Sequence, residues 1–304
     1  MKKVVIATIN FNSEKETHDC LKSLEKLDTE NLDVKIVVID NGSSTAFTLT
    51  SEESKKGIRL IRVEKNLGFT GGSNLGIEFG MQNNADYVML INNDTIVDRN
   101  LLKELLRPFD QNPNVGLVVP KIYFAKGHEY HLEKYKKDEL GKVFWFGGGY
   151  VDWANVFTRH RGVDEVDKGQ YDREENITFA TGCCMLLSKE VIEKVGKFDE
   201  KYFLYFEDGD LSQRIIKSGF EIIYNPKAVL WHITAASGGG SGSILHDYYL
   251  SRNRMLFGMR YAPFRSKLAL IKESLRLIFS GRPWQRKGIL DFYTGNMGKG
   301  SFGK

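Results

Sequence analysis

The residues best suited to chemistry fall into two acidic groups. In Leu90-Ile91-Asn92-Asn93-Asp94 an apolar run stops at two amides and a carboxylate. In Glu207-Asp208-Gly209-Asp210 three carboxylates crowd together. Like charges this close raise at least one pKa, which suits a proton acceptor. The plainer reading is a helix start, where acids are favoured, with Asp210 serving that start through Arg214. His232 follows an apolar run, and a lone histidine there is more often structural. Trp153 and Trp231 offer faces on which a sugar could stack, although a tryptophan is more often core.

Something must position these groups. β-branched or apolar runs at 3–9, 34–39, 58–63 and 87–91 read as four strands. Between them, Ser13-Glu14-Lys15-Glu16 fits a capping box, with Leu21, Leu24 and Leu27 at helical spacing, and 73–82 reads as a helix. Continuous apolar strands alternating with helices predict an α/β fold with a mostly parallel, covered sheet. Thr8, Asn10, Asn12, Asp40, Asn41 and Asp94 then gather at strand ends, where an open sheet forms its ligand crevice. Further on, 115–123 reads as a strand, 126–138 as a charged loop and 143–160 as hairpins. An apolar stretch at 177–187, a short helix at 188–195 and a mobile glycine-serine loop at 237–243 follow.

The ligand is bounded by what is missing. There is no GxxxxGK[ST], and Asn10-Phe11-Asn12-Ser13 after the first strand has no glycine, so neither a P-loop nor a dinucleotide fingerprint is present. The glycines of Gly68-Phe69-Thr70-Gly71-Gly72 serve either close approach of a ligand or a tight turn. Nothing points to a nucleic-acid partner. Hydrophobic content of 41% supports a large core. Three cysteines make no disulfide framework and suggest a reducing compartment.

Seven motifs then coincide in order: VIATINFN, VVIDNGSS, NLGFTGGSNLGI, YVMLINNDTIVD, GCCMLLSKEVIEKVGKFDE, YFLYFEDGDLSQRIIKSGF and YNPKAVLWH. Together they resemble the family-2 glycosyltransferases of GT-A fold, the rhamnosyltransferase-like members above all, and YYLSRNRMLF continues the likeness weakly. The resemblance implies a catalytic domain over 1–245, with a nucleotide-sugar half to about 120 and an acceptor half from 121. It implies inverting, single-displacement transfer from a UDP- or dTDP-type sugar to a glycan or lipid-linked acceptor.

Such transfer needs a divalent cation, Mn2+ or Mg2+, to neutralise the leaving diphosphate, and a carboxylate to take the acceptor proton. By resemblance Asp94 is the surviving aspartate of a DxD metal motif whose first position is here the amide Asn92. His232 supplies a second metal contact and Asp208 is the base. Glu207, Asp210 and Trp231 face the acceptor. Asp40 accepts from the nucleobase N–H, and Thr8, Asn10, Asn12, Asn66, Gly71, Gly72, Asn74 and Asn93 border the nucleotide. The weakened motif leaves a second reading open, a nucleotide-sugar-binding or scaffold subunit of a glycan assembly complex.

Charge separates the last part of the chain. Twelve Lys/Arg and two acids lie between Arg252 and Lys304, so a net charge of +4 divides into about +10 there and about −6 elsewhere. A basic helical extension is expected over 246–304. In it Leu268, Ile271, Leu275 and Ile278 fall at helical spacing, too short and too charged to span a bilayer. The pattern fits a helix lying at the inner face of the cell membrane, through 252–304, in an otherwise cytoplasmic protein. The rival reading is packing on the catalytic domain or a homodimer.

Overall fold

A computed structural model describes residues 1–233 and 243–302. The first half alternates as expected: β1 (Lys2–Asn10), α1 (Glu14–Leu24), β2 (Leu32–Asn41), α2 (Ser51–Lys55), β3 (Arg59–Val63), α3 (Gly68–Gln82) and β4 (Tyr87–Asn92). Then come β5 (Thr95–Val97), α4 (Leu101–Gln111) and β6 (Val115–Phe124). A 3-10 turn (Leu132–Lys134) interrupts the charged loop. Short strands follow: β7 (Phe144–Phe146), β8 (Gly149–Asp152), β9 (Phe157–His160) and β10 (Glu175–Asn176). β11 (Cys184–Ser188), α5 (Lys189–Val195), α6 (Glu207–Lys217) and β12 (Glu221–His232) complete the sheet region. Three helices end the described chain: α7 (Ile244–Tyr261), α8 (Phe264–Ser280) and α9 (Pro283–Thr294). The glycine-serine loop expected at 237–243 lies outside the described residues, except for Ser243, which caps α7.

The sheet runs β10-β12-β6-β11-β4-β1-β2-β3, with β5 added to β12 and β7 to β6. β3, β2, β1 and β4 are parallel. β11 lies antiparallel between β4 and β6, and β6 and β12 are parallel again. From β1 the chain steps outward to β2 and β3, and α3 returns it to the other side of β1. This reversal opens a crevice at the carboxyl ends of β1 and β4. Val4–Ala7, Val37–Ile39 and Val88–Ile91 are all buried, which is why these strands read as unbroken apolar runs.

Two local expectations are corrected. Ser13 does stand before α1, but its hydroxyl donates to the Phe11 carbonyl at 3.2 Å and makes no cap. α3 starts at Gly68, five residues before the expected helix. Gly68 makes the entry turn at φ +75, and Gly72, Gly76 and Gly80 recur at helical spacing on the face toward the sheet. A Cβ on Gly76 would stand 2.5 Å from that of Ala7, and one on Gly80 would stand 2.4 Å from a Val88 methyl. These glycines bring the helix close to β1 and β4, a third role beside ligand approach and turn.

Candidate active site

Asp94 sits in the two-residue turn between β4 and β5. Pairing of β5 with the end of β12 sets His232 opposite Thr95, and the Ile233 N–H donates to the Asp94 carbonyl at 2.7 Å. Asp94 Oδ1 and His232 Nε2 therefore meet at 3.1 Å. The contact is not aligned as a hydrogen bond, and both atoms, with His232 Nδ1, are buried without a partner. Two donors around one octahedral ion with bonds of about 2.1 Å stand about 3 Å apart, so the pair fits a shared divalent cation. No cluster of three His, Cys, Asp or Glu side chains suited to a metal occurs among the described residues. A cation held by this pair would need further ligands from outside these side chains, such as diphosphate oxygens and water. The imidazole is held by the Trp145 ring, 4.7 Å between centroids, which itself lies edge-on to His160 at 4.5 Å.

The second acidic group opens α6. Phe203, Tyr205 and Phe206 just before it have φ of 66°, 68° and 69°, a left-handed backbone that bulky residues rarely adopt. The buried Asn253 of α7 holds this loop. Its Nδ2 lies 2.9, 2.7 and 2.9 Å from the carbonyls of Tyr202, Leu204 and Tyr205. Arg252, fully buried beside it, donates to the Tyr202 carbonyl at 2.8 Å.

The loop delivers Asp208 to the amide of Gly182, which donates to Oδ2 at 3.1 Å, while the Gly209 amide donates to Oδ1 at 2.8 Å. Burial pushes the Asp208 carboxyl up to about 6 despite these donors. Glu207 is buried, its Oε2 has no partner, and burial together with the Asp208 charge pushes it well above the carboxylate range. The next residue along, Cys183, accepts from the Asn92 amide at 2.8 Å. One short segment, Gly182-Cys183, thus ties the end of β4 to Asp208.

Asp210 does not join them. It is fully buried, with Oδ2 on Arg214 Nε at 2.8 Å and Oδ1 on Arg260 Nη1 and the Tyr261 hydroxyl, each at 2.8 Å. It anchors α7 to α6 and has no oxygen left for an acceptor. Trp231 points away from His232, as neighbours on a strand must, and its Nε1 donates to the Gly141 carbonyl at 2.9 Å. Trp153 stacks on Phe257 at 5.6 Å.

The nucleotide positions divide. Thr8 and Asn10 line the end of β1, and the buried Thr8 hydroxyl has no partner. Asp40 is fully buried and salt-bridged to Arg62. It also accepts from Asn10 Nδ2 at 3.1 Å and the Phe47 amide at 3.0 Å. Burial raises its pKa, but these bonds and one from Ser43 outweigh it and hold the carboxyl below its usual range. A nucleobase N–H bound there would share Asp40 with these donors. Asn12 Oδ1 accepts from the Ser44 amide at 2.8 Å, Asn66 Oδ1 from Gly68 at 2.8 Å, and Asn93 donates to Thr17 Oγ1 at 2.8 Å. Asn74 points elsewhere, clamping Phe198 through its amide (2.9 Å) and carbonyl (3.1 Å). Gly71 and Gly72 lie inside α3, where added Cβ atoms would meet Leu67 and Ile9. These three contribute to the placement of α3.

Comparison with known proteins gives the family and the fold. The model of the family "Glycosyl transferase family 2" matches residues 4–196. The N-acetylglucosaminyl-diphospho-decaprenol L-rhamnosyltransferase of Mycobacterium tuberculosis is 26% identical over 215 residues, 68% of this chain and 68% of that one. The dTDP-rhamnosyl transferase RfbF of Shigella flexneri is 26% identical over 216 residues, 70% of this chain and 64% of that one. The crystal structure of GalNAc-T7 with UDP, GalNAc and Mn2+ superposes with a TM-score of 0.61 at 15% identity, over 93% of this chain and 58% of that one, a likeness of fold. With a matched region that covers most of its sheet, the chain belongs to glycosyl transferase family 2 and is a rhamnosyltransferase-like glycosyltransferase of GT-A fold.

Proposed function

We propose that the protein transfers a sugar, rhamnose by kinship, from a UDP- or dTDP-type donor to a hydroxyl of a glycan or lipid-linked acceptor, with inversion. Kinship enters through two relatives whose names specify rhamnose, one of them acting on a diphospho-decaprenol. The observation that carries the reading is the unpartnered pair Asp94 Oδ1 and His232 Nε2 at 3.1 Å. Mn2+ or Mg2+ held there would neutralise the leaving diphosphate.

Asp208 takes the acceptor proton as the new C–O bond forms. The anomeric C–O bond breaks on the opposite face, and the nucleoside diphosphate leaves with the electron pair. A carboxyl near 6 is ionised at neutral pH yet basic enough to accept a proton. Glu207 keeps its own proton and donates to an acceptor oxygen. Two backbone donors fix the Asp208 oxygens, so its position does not depend on substrate.

A panel of nucleotide sugars with Mn2+ or Mg2+, read by released nucleoside diphosphate, tests the proposal. Release from a rhamnose donor above all others is expected. Donor binding without release from any donor would instead favour the scaffold reading.

A further inference from the structure

We infer that the outward face of α8 docks on an anionic lipid surface. The helix packs inward through Leu270, whose methyl leaves no room for a side chain on Gly258, and through the buried Ser274. Facing away are Phe264 (72% exposed), Leu268 (51%), Leu275 (51%) and Phe279 (80%). Spacings of four, seven and four residues return to within about 60° around a helix, so the four form one stripe about 22 Å long. Ile271 and Ile278, which the sequence pattern also puts in the stripe, are half-buried. Single exposed apolar residues are ordinary, but a row with two phenylalanines is a patch that needs a partner.

Charge says which partner. Arg265, Lys267, Lys272 and Arg276 share this helix and have no acidic partner among the described residues. The only acid of α8, Glu273, is held by Arg254 at 2.9 Å. Elsewhere in the extension Arg260 and Arg282 are neutralised by Asp199, Asp210 and Asp247. Four cations without an acidic partner thus share the helix that carries the apolar stripe. A second copy of the chain, joined about a two-fold axis, would set these cations against themselves. An anionic bilayer receives both the apolar row and the charge. No described helix is long and apolar enough to cross a membrane, so the contact lies along the surface. The inference goes beyond sugar transfer and does not depend on it.

Co-sedimentation of the full chain with phosphatidylcholine vesicles, with and without phosphatidylglycerol, decides the matter. Pelleting with the anionic vesicles at low salt, and loss at high salt, is expected. Lys272→Gln with Arg276→Gln should lower partitioning roughly thirtyfold. Leu268→Ser with Phe279→Ser should abolish it. Both pairs are exposed, and unchanged melting temperatures would show that the variants fold. Failure of the full chain to pellet, or equal pelleting of the variants, overturns the inference. So does a dimer that the serine variant dissolves while vesicles bind neither form.

Discussion

The side-chain amide of Asn253 lies 2.9 Å from the carbonyl of Tyr205, two residues before the carboxylates that open α6. A helix outside the sheet thus holds the backbone that aims Glu207 and Asp208. Asn253→Ala should leave buried carbonyls unpaired and cost about 2 kcal/mol of stability. If Asp208 is the base, the loop aims it and not the donor, so kcat should fall about tenfold or more while donor KM stays within about twofold. Steady-state kinetics with a thermal melt check this. A stability loss with unchanged kcat would leave Asn253 a packing residue only.

Removing the proton acceptor is the direct test of the base. Asp208→Asn should lower transfer about 10²-fold or more with donor binding kept. With Asp208 as the proposed base the active form is the carboxylate, so activity should fall as pH drops through about 6. If Asp208→Asn keeps near-normal turnover, or the acid limb lies near 4, the assignment fails.

Much of this site was legible in order but not in geometry. The first four strands were readable because both sheet faces are covered, which leaves runs such as Val4-Val5-Ile6-Ala7 unbroken. The start of α3 was not, because glycine is a poor helix former and the sequence shows only its cost. Its gain, contact with Ala7 and Val88, is tertiary. The Asp94–His232 meeting depends on a long-range pairing of β5 with β12, which no local pattern encodes. The side-chain directions of two further pairs were readable from spacing. Asp208 and Asp210 differ by about 200° around a helix, so both cannot face one site. Trp231 and His232 are neighbours on a strand and must point to opposite faces. Trp145 and Asn253 carried no signal of their own type.

The glycines of α3 give a prediction about packing. Gly76→Ala would put a methyl 2.5 Å from the Ala7 Cβ, with no flexible side chain to yield. The helix must shift from β1, at a cost of about 1–3 kcal/mol. Gly57→Ala makes an instructive contrast: it also adds a methyl, but into open space, and any cost there comes from its φ of +80. Chemical denaturation of both variants would check this. A stabilised Gly76→Ala would mean that the close approach is not needed.

The Asp94–His232 pair, as the proposed metal site, makes a prediction about binding. Asp94→Ala and His232→Ala should each weaken nucleoside diphosphate binding in the presence of Mn2+ by about tenfold or more, and leave metal-free binding little changed. Calorimetric titration with and without Mn2+ separates the two. Unchanged Mn2+-assisted binding in both variants would place the metal elsewhere.

Glu207 gives the last prediction, on stability against pH. Its folded pKa lies well above the unfolded value because burial and the Asp208 charge disfavour the ion. Between those two values the folded chain holds a proton that the unfolded chain has released. Stability therefore falls as pH rises above the unfolded carboxyl range near 4.5. Asp208 adds to this with the same sign, its share ending a little above 6. Glu207→Gln removes the ionisable group while keeping its shape, and Oε2 has no donor to lose. The variant should melt above wild type at pH 8 and level with it at pH 4.5, both without metal or donor. A difference that is the same at both pH values would show that Glu207 is not held protonated in the fold.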